Sequence, residues 1–198
     1  MSMAPAVAVA PSRWIAADLD GEGAGPVALV RPAVDKDVFA LAALPVRTSG
    51  PLRVLVQGDD HDEALAAIAA MREEHTVAVV AGEPAERAAA YAQAHVVVDL
   101  SRSAGAPDAT LEAFHCGATA VATLAPGRED FLDDGVNAIV ANWEDRRGAQ
   151  RALDLLARDP RLLQLLRVNA LATARGWPGA RQSAAMLALA TARAGAGA

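Results

Sequence analysis

The residues best suited to bind a ligand lie in one stretch of the chain, from Val96 to Thr123. Within it, a polar loop that contains Gly105 and Asp108 runs into a helical pattern that begins at Ala109. The free backbone N–H groups at such a helix start can bind a phosphate. The alternative is an ordinary strand-to-helix loop, because Asp108 is a good N-cap acceptor and its carboxylate would repel a phosphate.

Glu112 adds a carboxylate to the first turn of the same helix. Its two oxygens could accept hydrogen bonds from two neighbouring hydroxyl groups, such as those of a ribose. An acid at this position also stabilises the helix by complementing its dipole. The residue pattern allows both roles for Glu112, contact with a ribose and stabilisation of the helix. Gly117 can adopt the left-handed conformation that ends the helix after Cys116.

A second group of candidate ligands is the acidic run from Asp59 to Glu63, which contains His61 and follows Gly58. These carboxylate and imidazole groups could bind a metal ion. The favoured interpretation is a solvated helix start, because acids in a first turn stabilise a helix without any ligand. We therefore predict no metal site.

Alternating strand and helix patterns position these candidates. Apolar runs predict strands at residues 7–10, 26–30, 53–57, 76–80, 96–98, 120–123 and 137–140. Helical patterns lie at about residues 13–20 (capped by Ser12), 64–74, 84–94, 109–116, 128–135, 143–158, 160–175 and 180–193. Such alternation predicts an α/β fold, a Rossmann-like open parallel sheet with helices on both faces.

Composition limits the class of protein. Hydrophobic residues make up 53% of the 198 residues and aromatic residues 4%, so the core must consist mainly of Ala, Val and Leu. No apolar run approaches the roughly 18 residues that span a membrane, and the N-terminus lacks the pattern of a secretory signal. The formal net charge of -6 argues against a nucleic-acid partner. The single cysteine, Cys116, excludes an internal disulfide and predicts a cytoplasmic protein.

Two longer motifs carry a family resemblance. Residues 100–123 read LSRSAGAPDATLEAFHCGATAVAT, with a serine after a strand, a glycine-containing loop and an L-E-A-x-x-x-G pattern. Residues 125–140 read APGREDFLDDGVNAIV, which follows the pattern G-x-x-E-x-x-x-D-G-x-N. Together they resemble the C-terminal, nucleotide-sugar-binding domain of GT-B glycosyltransferases, specifically the retaining family 4 (glycosyl transferases group 1).

The resemblance extends over nearly the whole chain. Residues 10–14 (APSRW) and 32–39 (PAVDKDVF) are similar to the end of the family's N-terminal domain. ARDPRLLQLLRVNA and Gly176-Trp177 are similar to its closing helices. The implied domains are a remnant of the N-terminal domain (1–39), a linker (40–51), a donor-binding domain (52–176), a crossing helix (177–193) and a disordered tail (194–198).

The resemblance implies transfer of a sugar from a nucleotide-sugar to a carbohydrate or glycolipid acceptor, without a cofactor or a divalent metal. Glu112 would hold the ribose, and backbone near Gly58 and the 105–109 loop would lie by the diphosphate. Glu129 would approach the sugar as a candidate catalytic residue, although it could equally be a surface charge. The implied nucleotide- and donor-binding residues are Glu112, Gly58, Gly105, Asp108, Ala109, Thr110 and Arg128, of which Arg128 has the same surface alternative.

The sequence also departs from the family pattern. The first of the family's two glutamates falls on Ala104, and acidic residues follow Gly58 where the family has cations that bind the diphosphate. Like charges about 4 Å apart repel by roughly 4 kcal/mol at an effective dielectric constant of about 20. The competing hypothesis is therefore a degenerate, non-catalytic GT-B-like domain with an interaction or regulatory role.

The resemblance implies that this chain contains only the end of the acceptor-binding half. Because catalysis in this fold occurs in the cleft between two domains, we predict no turnover by the isolated chain. The apolar faces of residues 7–30 and of the last helix predict a homodimer or a missing N-terminal domain as the partner.

Overall fold

The computed structural model describes residues 7–31, 33–41, 44, 50–58, 61–102, 109–142, 144–145, 147–177 and 179–195. A small N-terminal unit pairs β1 (Ala8–Ala10) with β2 (Val27–Leu29) in parallel, and α1 (Arg13–Gly21) connects them. Ser12 caps α1 as predicted, because its hydroxyl accepts from the N–H of Ile15 at 3.2 Å.

The main unit is a parallel sheet of five strands: β3 (Leu52–Val56), β4 (His75–Val79), β5 (Val96–Asp99), β6 (Thr119–Ala122) and β7 (Ala138–Val140). Their spatial order is β4-β3-β5-β6-β7. The helices are α2 (His61–Ala69), α3 (Pro84–Gln93), α4 (Ala109–His115), α5 (Gly148–Arg158), α6 (Pro160–Arg175) and α7 (Gly179–Gly195). The predicted α/β fold with an open parallel sheet is confirmed.

Side chains of the central strands alternate between two apolar clusters. Val97 of β5 packs with Tyr91 of α3 and Phe114 of α4 on one face. Val96 and Val98 pack on the other face, with α2 and α5. Helix α6 contributes to both clusters, through Leu163 and Leu166 on one side and Ala170 and Ala174 on the other. The central strands are therefore covered on both faces, which explains their continuous apolar runs, whereas the edge strand β4 is mostly exposed.

Two predicted helices are shorter than the sequence pattern suggests. Helix α2 ends at Ala69 rather than near Glu74, because Asp154 of α5 accepts from the backbone N–H groups of Arg72 at 2.9 Å and Glu73 at 3.4 Å. Helix α5 begins at Gly148 rather than near residue 143. The side chains of Asn142 and Asp145 accept from the N–H groups of residues 144 and 147, which forms turns in place of the first helical turn.

The predicted helix at residues 128–135 is only one 3-10 turn, Arg128–Asp130. Asn137 ends it, because its side chain donates to the carbonyl of Phe131 at 2.7 Å and accepts from the N–H of Asp133 at 2.9 Å. At the C-terminus, α7 extends to Gly195, two residues beyond the predicted end. In the described ranges, no helix has the length and hydropathy needed to cross a bilayer.

Candidate ligand-binding site at the carboxyl edge of the sheet

The strand order indicates where a ligand site is expected. The chain leaves β3 toward β4 on one side and continues from β5 toward β6 and β7 on the other. In open parallel sheets, ligands bind outside the carboxyl ends of the strands where the order reverses in this way. In this protein that position is between the end of β3, followed by Gln57 and Gly58, and the end of β5, followed by Leu100 and Ser101.

A buried carboxylate, Asp99, occupies this edge and is only 1% exposed. Its Oδ1 accepts from the backbone N–H of Ser101 at 3.1 Å and from the Ser101 hydroxyl at 2.5 Å. Its Oδ2 accepts from Arg128 at 2.5 Å and from Gln57 Nε2 at 3.3 Å. Thr110, the second residue of α4, lies 3.5 Å from the same oxygen and binds Gln57 at 3.1 Å. Donors from separate parts of the chain thus converge on one anion.

The side chains of Asp99 and Ser101 leave no room for a side chain at Gly58. Its φ is +88°, and a Cβ built on it would lie 2.5 Å from Asp99 Oδ1 and 3.1 Å from the Ser101 hydroxyl. A glycine is therefore required both for the left-handed turn and for the close approach of the Asp99 carboxylate. Asp59 and Asp60 lie outside the described residues, whereas Asp62 and Glu63 stand in the first turn of α2 as predicted.

Arg128 and Glu129 have different surroundings. The Arg128 side chain is only 3% exposed and forms an ion pair with Asp99. Its Nη1 also donates to the carbonyls of Asp99 and Thr123 at 3.3 Å each. The alternative of a surface charge is therefore wrong for Arg128, because its donors are directed into the protein. Glu129 is exposed, and its carboxylate accepts from the N–H of Gly127 at 2.5 Å.

Glu112 is held by an arginine from the neighbouring helix. Arg87 Nε donates to Glu112 Oε2 at 3.2 Å, and Arg87 Nη2 donates to Oε1 at 3.0 Å. The Glu112 side chain is 4% exposed and that of Arg87 is 27% exposed. Hydrogen bonding to Glu112 raises the pKa of Arg87 above its ordinary value. The neighbouring Tyr91 phenol has a raised pKa because of burial and, second, the Glu112 charge.

The other predicted site residues divide into two groups. Ala109 and Thr110 begin α4, and Thr110 is fully buried with its hydroxyl in the Asp99 cluster. Gly105 and Asp108, together with Ala104, lie outside the described residues. The structure therefore brings Gly58, Thr110 and Arg128 to one cluster and places Glu112 two residues further along α4.

Sequence reasoning missed Asp99, Gln57 and Arg87. One signal was available for Asp99, because a charged residue directly after three valines of a buried strand must find partners. For Arg87 no local signal existed, since its partner Glu112 is 25 positions away along the chain.

A cavity of about 650 Å³ opens beside the same edge, between α2 and the start of α5. Its lining includes Glu63, Ala67, Arg102, Arg147 and Gln150. This volume is in the range of small-molecule pockets. None of the predicted nucleotide-binding residues that the structure describes lines it.

Comparison with known proteins gives a consistent family and fold. Residues 28–159 match the family of glycosyl transferases group 1. No curated protein matches the sequence. Sucrose-phosphate synthase from Thermosynechococcus elongatus has a similar structure, with a TM-score of 0.78 and 17% identity over 96% of this chain and 59% of that chain.

Two further solved structures are similar. HepE from Anabaena, in complex with UDP, has a TM-score of 0.75 and 14% identity over 92% of this chain and 63% of that chain. The chain thus spans about three fifths of these longer proteins. The C-terminal domain of a glycosyl transferase group 1 family protein (LpcC) from Francisella tularensis has a TM-score of 0.60 and 16% identity. That match covers 73% of this chain and 97% of the solved domain.

Proposed function

This chain belongs to the group 1 glycosyltransferases and has the fold of a C-terminal GT-B domain, and we propose that it is the donor-binding half of a retaining enzyme. Such an enzyme would transfer a sugar from a nucleotide-sugar to a carbohydrate or glycolipid acceptor. The observation that carries the proposal is the position of the Glu112 carboxylate. It stands in the first turn of α4, beside the strand ends where open parallel sheets bind ligands.

Glu112 is the proposed ribose-binding residue. The two oxygens of one carboxylate match two vicinal hydroxyl donors. Gly58 and the backbone of residues 105–109 would lie by the diphosphate. Thr110 stands in the first turn of α4. Glu129, whose carboxylate is at the surface, would approach the sugar. Arg128 would contribute by holding the end of β5 through Asp99 rather than by touching the donor, because its side chain is buried.

The whole enzyme would need a second domain facing this one, because catalysis in a two-domain fold takes place in the cleft. The exposed apolar side chains of the N-terminal unit and of α7 support a covering partner, either that domain or a second copy. They include Val9 (44% exposed), Trp14 (53%) and Leu187 (66%). We propose a cytoplasmic location on the basis of the single, buried Cys116.

The competing function is that of a non-catalytic interaction domain, and one observation favours it. Gly58 has an acidic side chain, Asp99, against it, and Asp62 and Glu63 follow in the first turn of α2. A diphosphate at this position would meet carboxylates where a nucleotide-sugar site is expected to offer cations.

Calorimetric titration with UDP, GDP and dTDP, each with and without magnesium, tests the two functions. We expect one nucleotide to bind with a Kd below about 1 mM and Glu112→Gln to weaken that binding at least about tenfold. Glu73→Gln is the matched control, because Glu73 pairs with Arg158 at 3.7 Å on another part of the surface. A folded chain that binds none of the three nucleotides would favour the interaction domain.

A further inference from the structure

We propose that Arg87 is a positioning residue of the nucleotide site, which orients the Glu112 carboxylate toward the ribose hydroxyls. This inference rests on the proposed function, since it assumes that Glu112 receives a ribose. It adds a residue on α3 that neither the family motifs nor the sequence pattern indicates.

Arg87 contacts the Glu112 carboxylate at two points. Two different guanidinium nitrogens donate to two different carboxylate oxygens, at 3.2 and 3.0 Å. This planar, two-point contact sets the orientation of the carboxylate in a way that a single lysine donor cannot. Among the hydrogen bonds of the described residues, no other side chain donates to Glu112.

The Glu112 carboxylate keeps free acceptor positions beside Arg87. An ionised carboxylate offers about four lone-pair positions, two on each oxygen. Arg87 occupies one position on each oxygen, which leaves about one on each for a further donor. Two vicinal hydroxyls require that number, so the ion pair and the ribose contact are compatible.

Arg87 is itself held in place. Its Cζ lies 5.6 Å from the centre of the Phe39 ring, and its Nη1 lies 3.4 Å from the carbonyl oxygen of Gly82. Phe39 is 4% exposed and packs against Tyr91 with ring centres 6.3 Å apart. A guanidinium fixed between an aromatic ring and a carboxylate loses little further freedom when a ligand binds.

Arg87 is the positive charge that pairs with Glu112. Tyr91 of α3 and Cys116 after α4 are neutral near pH 7, because burial raises the pKa of the phenol and raises that of the thiol to about 12. Asp99 at the end of β5 is paired with Arg128. Removal of the Arg87 guanidinium would therefore remove the counter-charge that the described residues place on Glu112.

The test compares titrations of the intact chain, Arg87→Gln, Arg87→Lys and Glu112→Gln with UDP and with 2′-deoxy-UDP, or with GDP and 2′-deoxy-GDP if the chain prefers GDP. We expect Arg87→Gln to weaken binding of the ribonucleotide about tenfold. Its preference for the ribonucleotide over the 2′-deoxy form should also shrink, because that ratio reports the contact with the 2′-hydroxyl. Arg87→Lys should restore part of the affinity, because lysine keeps the charge but not the two-point contact.

Arg158→Gln is the matched control, because this arginine also pairs with a glutamate, at 3.7 Å, and its side chain is 63% exposed. If Arg87→Gln does not fold, Arg87→Lys decides alone, and wild-type affinity in that variant would overturn the proposal.

The outcomes separate the inference from the function on which it rests. Wild-type nucleotide affinity in Arg87→Gln, with binding lost in Glu112→Gln, would overturn the positioning role alone. Tighter binding in Arg87→Gln would also overturn it, since Arg87 would then obstruct Glu112. An intact chain that binds neither UDP nor GDP would overturn this inference, and one that binds none of UDP, GDP and dTDP would overturn both proposals.

Discussion

Asp99 and Arg128 form a buried ion pair at the carboxyl edge of the sheet, with Oδ2 and Nη2 2.5 Å apart and side chains 2% and 3% exposed. The pair joins the end of β5 to the 3-10 turn after β6. Ser101, Thr110 and Gln57 satisfy the remaining acceptor positions of the carboxylate. Four side chains thus hold this carboxylate at the edge of the sheet.

Arg128→Met should therefore destabilise the protein strongly. Removing one member of a buried pair leaves the other charge uncompensated, at a cost of about 3 to 5 kcal/mol of unfolding free energy. Urea denaturation measures the change. Arg151→Met is the control, because the Arg151–Asp145 pair is exposed, with side chains 61% and 41% accessible, and should shift the midpoint little. Equal midpoints for the two variants would contradict the structural role of the buried pair.

Gly58→Ala should be more destabilising than Gly135→Ala. Both glycines have positive φ, +88° and +71°, so both substitutions carry a backbone cost of about 1 kcal/mol. Only at position 58 does the new Cβ meet another side chain, Asp99 Oδ1 at 2.5 Å, whereas nothing lies within 4 Å at position 135. We expect a further loss of about 1 to 3 kcal/mol for Gly58→Ala, measured by thermal or urea unfolding. A matching loss in the two variants would mean that Asp99 moves aside without cost.

Stability should fall as the pH decreases from about 6.5 to about 4, in part because of His115. Burial, followed by the charges of Lys36 and Arg175, lowers the pKa of this histidine from 6.5 to about 4. Its Nε2 has no hydrogen-bond partner among the described residues. The unfolded chain binds the proton first, so the lost unfolding free energy reaches up to about 3 kcal/mol.

Urea unfolding across this pH range measures the effect. His115→Gln should flatten the dependence of the unfolding free energy on pH. A His115→Gln variant that keeps the wild-type slope would assign the acid sensitivity to other groups.

Much of the fold could be predicted because local physical chemistry determines its elements. Ser12 caps α1, Gly117 has the left-handed φ of +83° that ends the α4 segment, and the valine runs form the buried strands. The family resemblance was also correct at the level of group 1 and the C-terminal GT-B fold. Helix α2 is shorter than predicted because Asp154, distant along the chain, bonds the backbone that would have continued it. Two other helices are shorter than predicted because local side chains, such as Asn137, form turns with the nearby backbone.

The sequence by itself thus determined the alternation of strands and helices, and the stretch in which a ligand site should be sought. Only the tertiary structure decided what surrounds each candidate. It paired Glu112 with Arg87, directed Arg128 inward to Asp99 and placed that carboxylate against Gly58. The physical reason is that capping and apolar periodicity act over a few residues. The partner of a buried charge, in contrast, is chosen by packing between elements 25 or more positions apart.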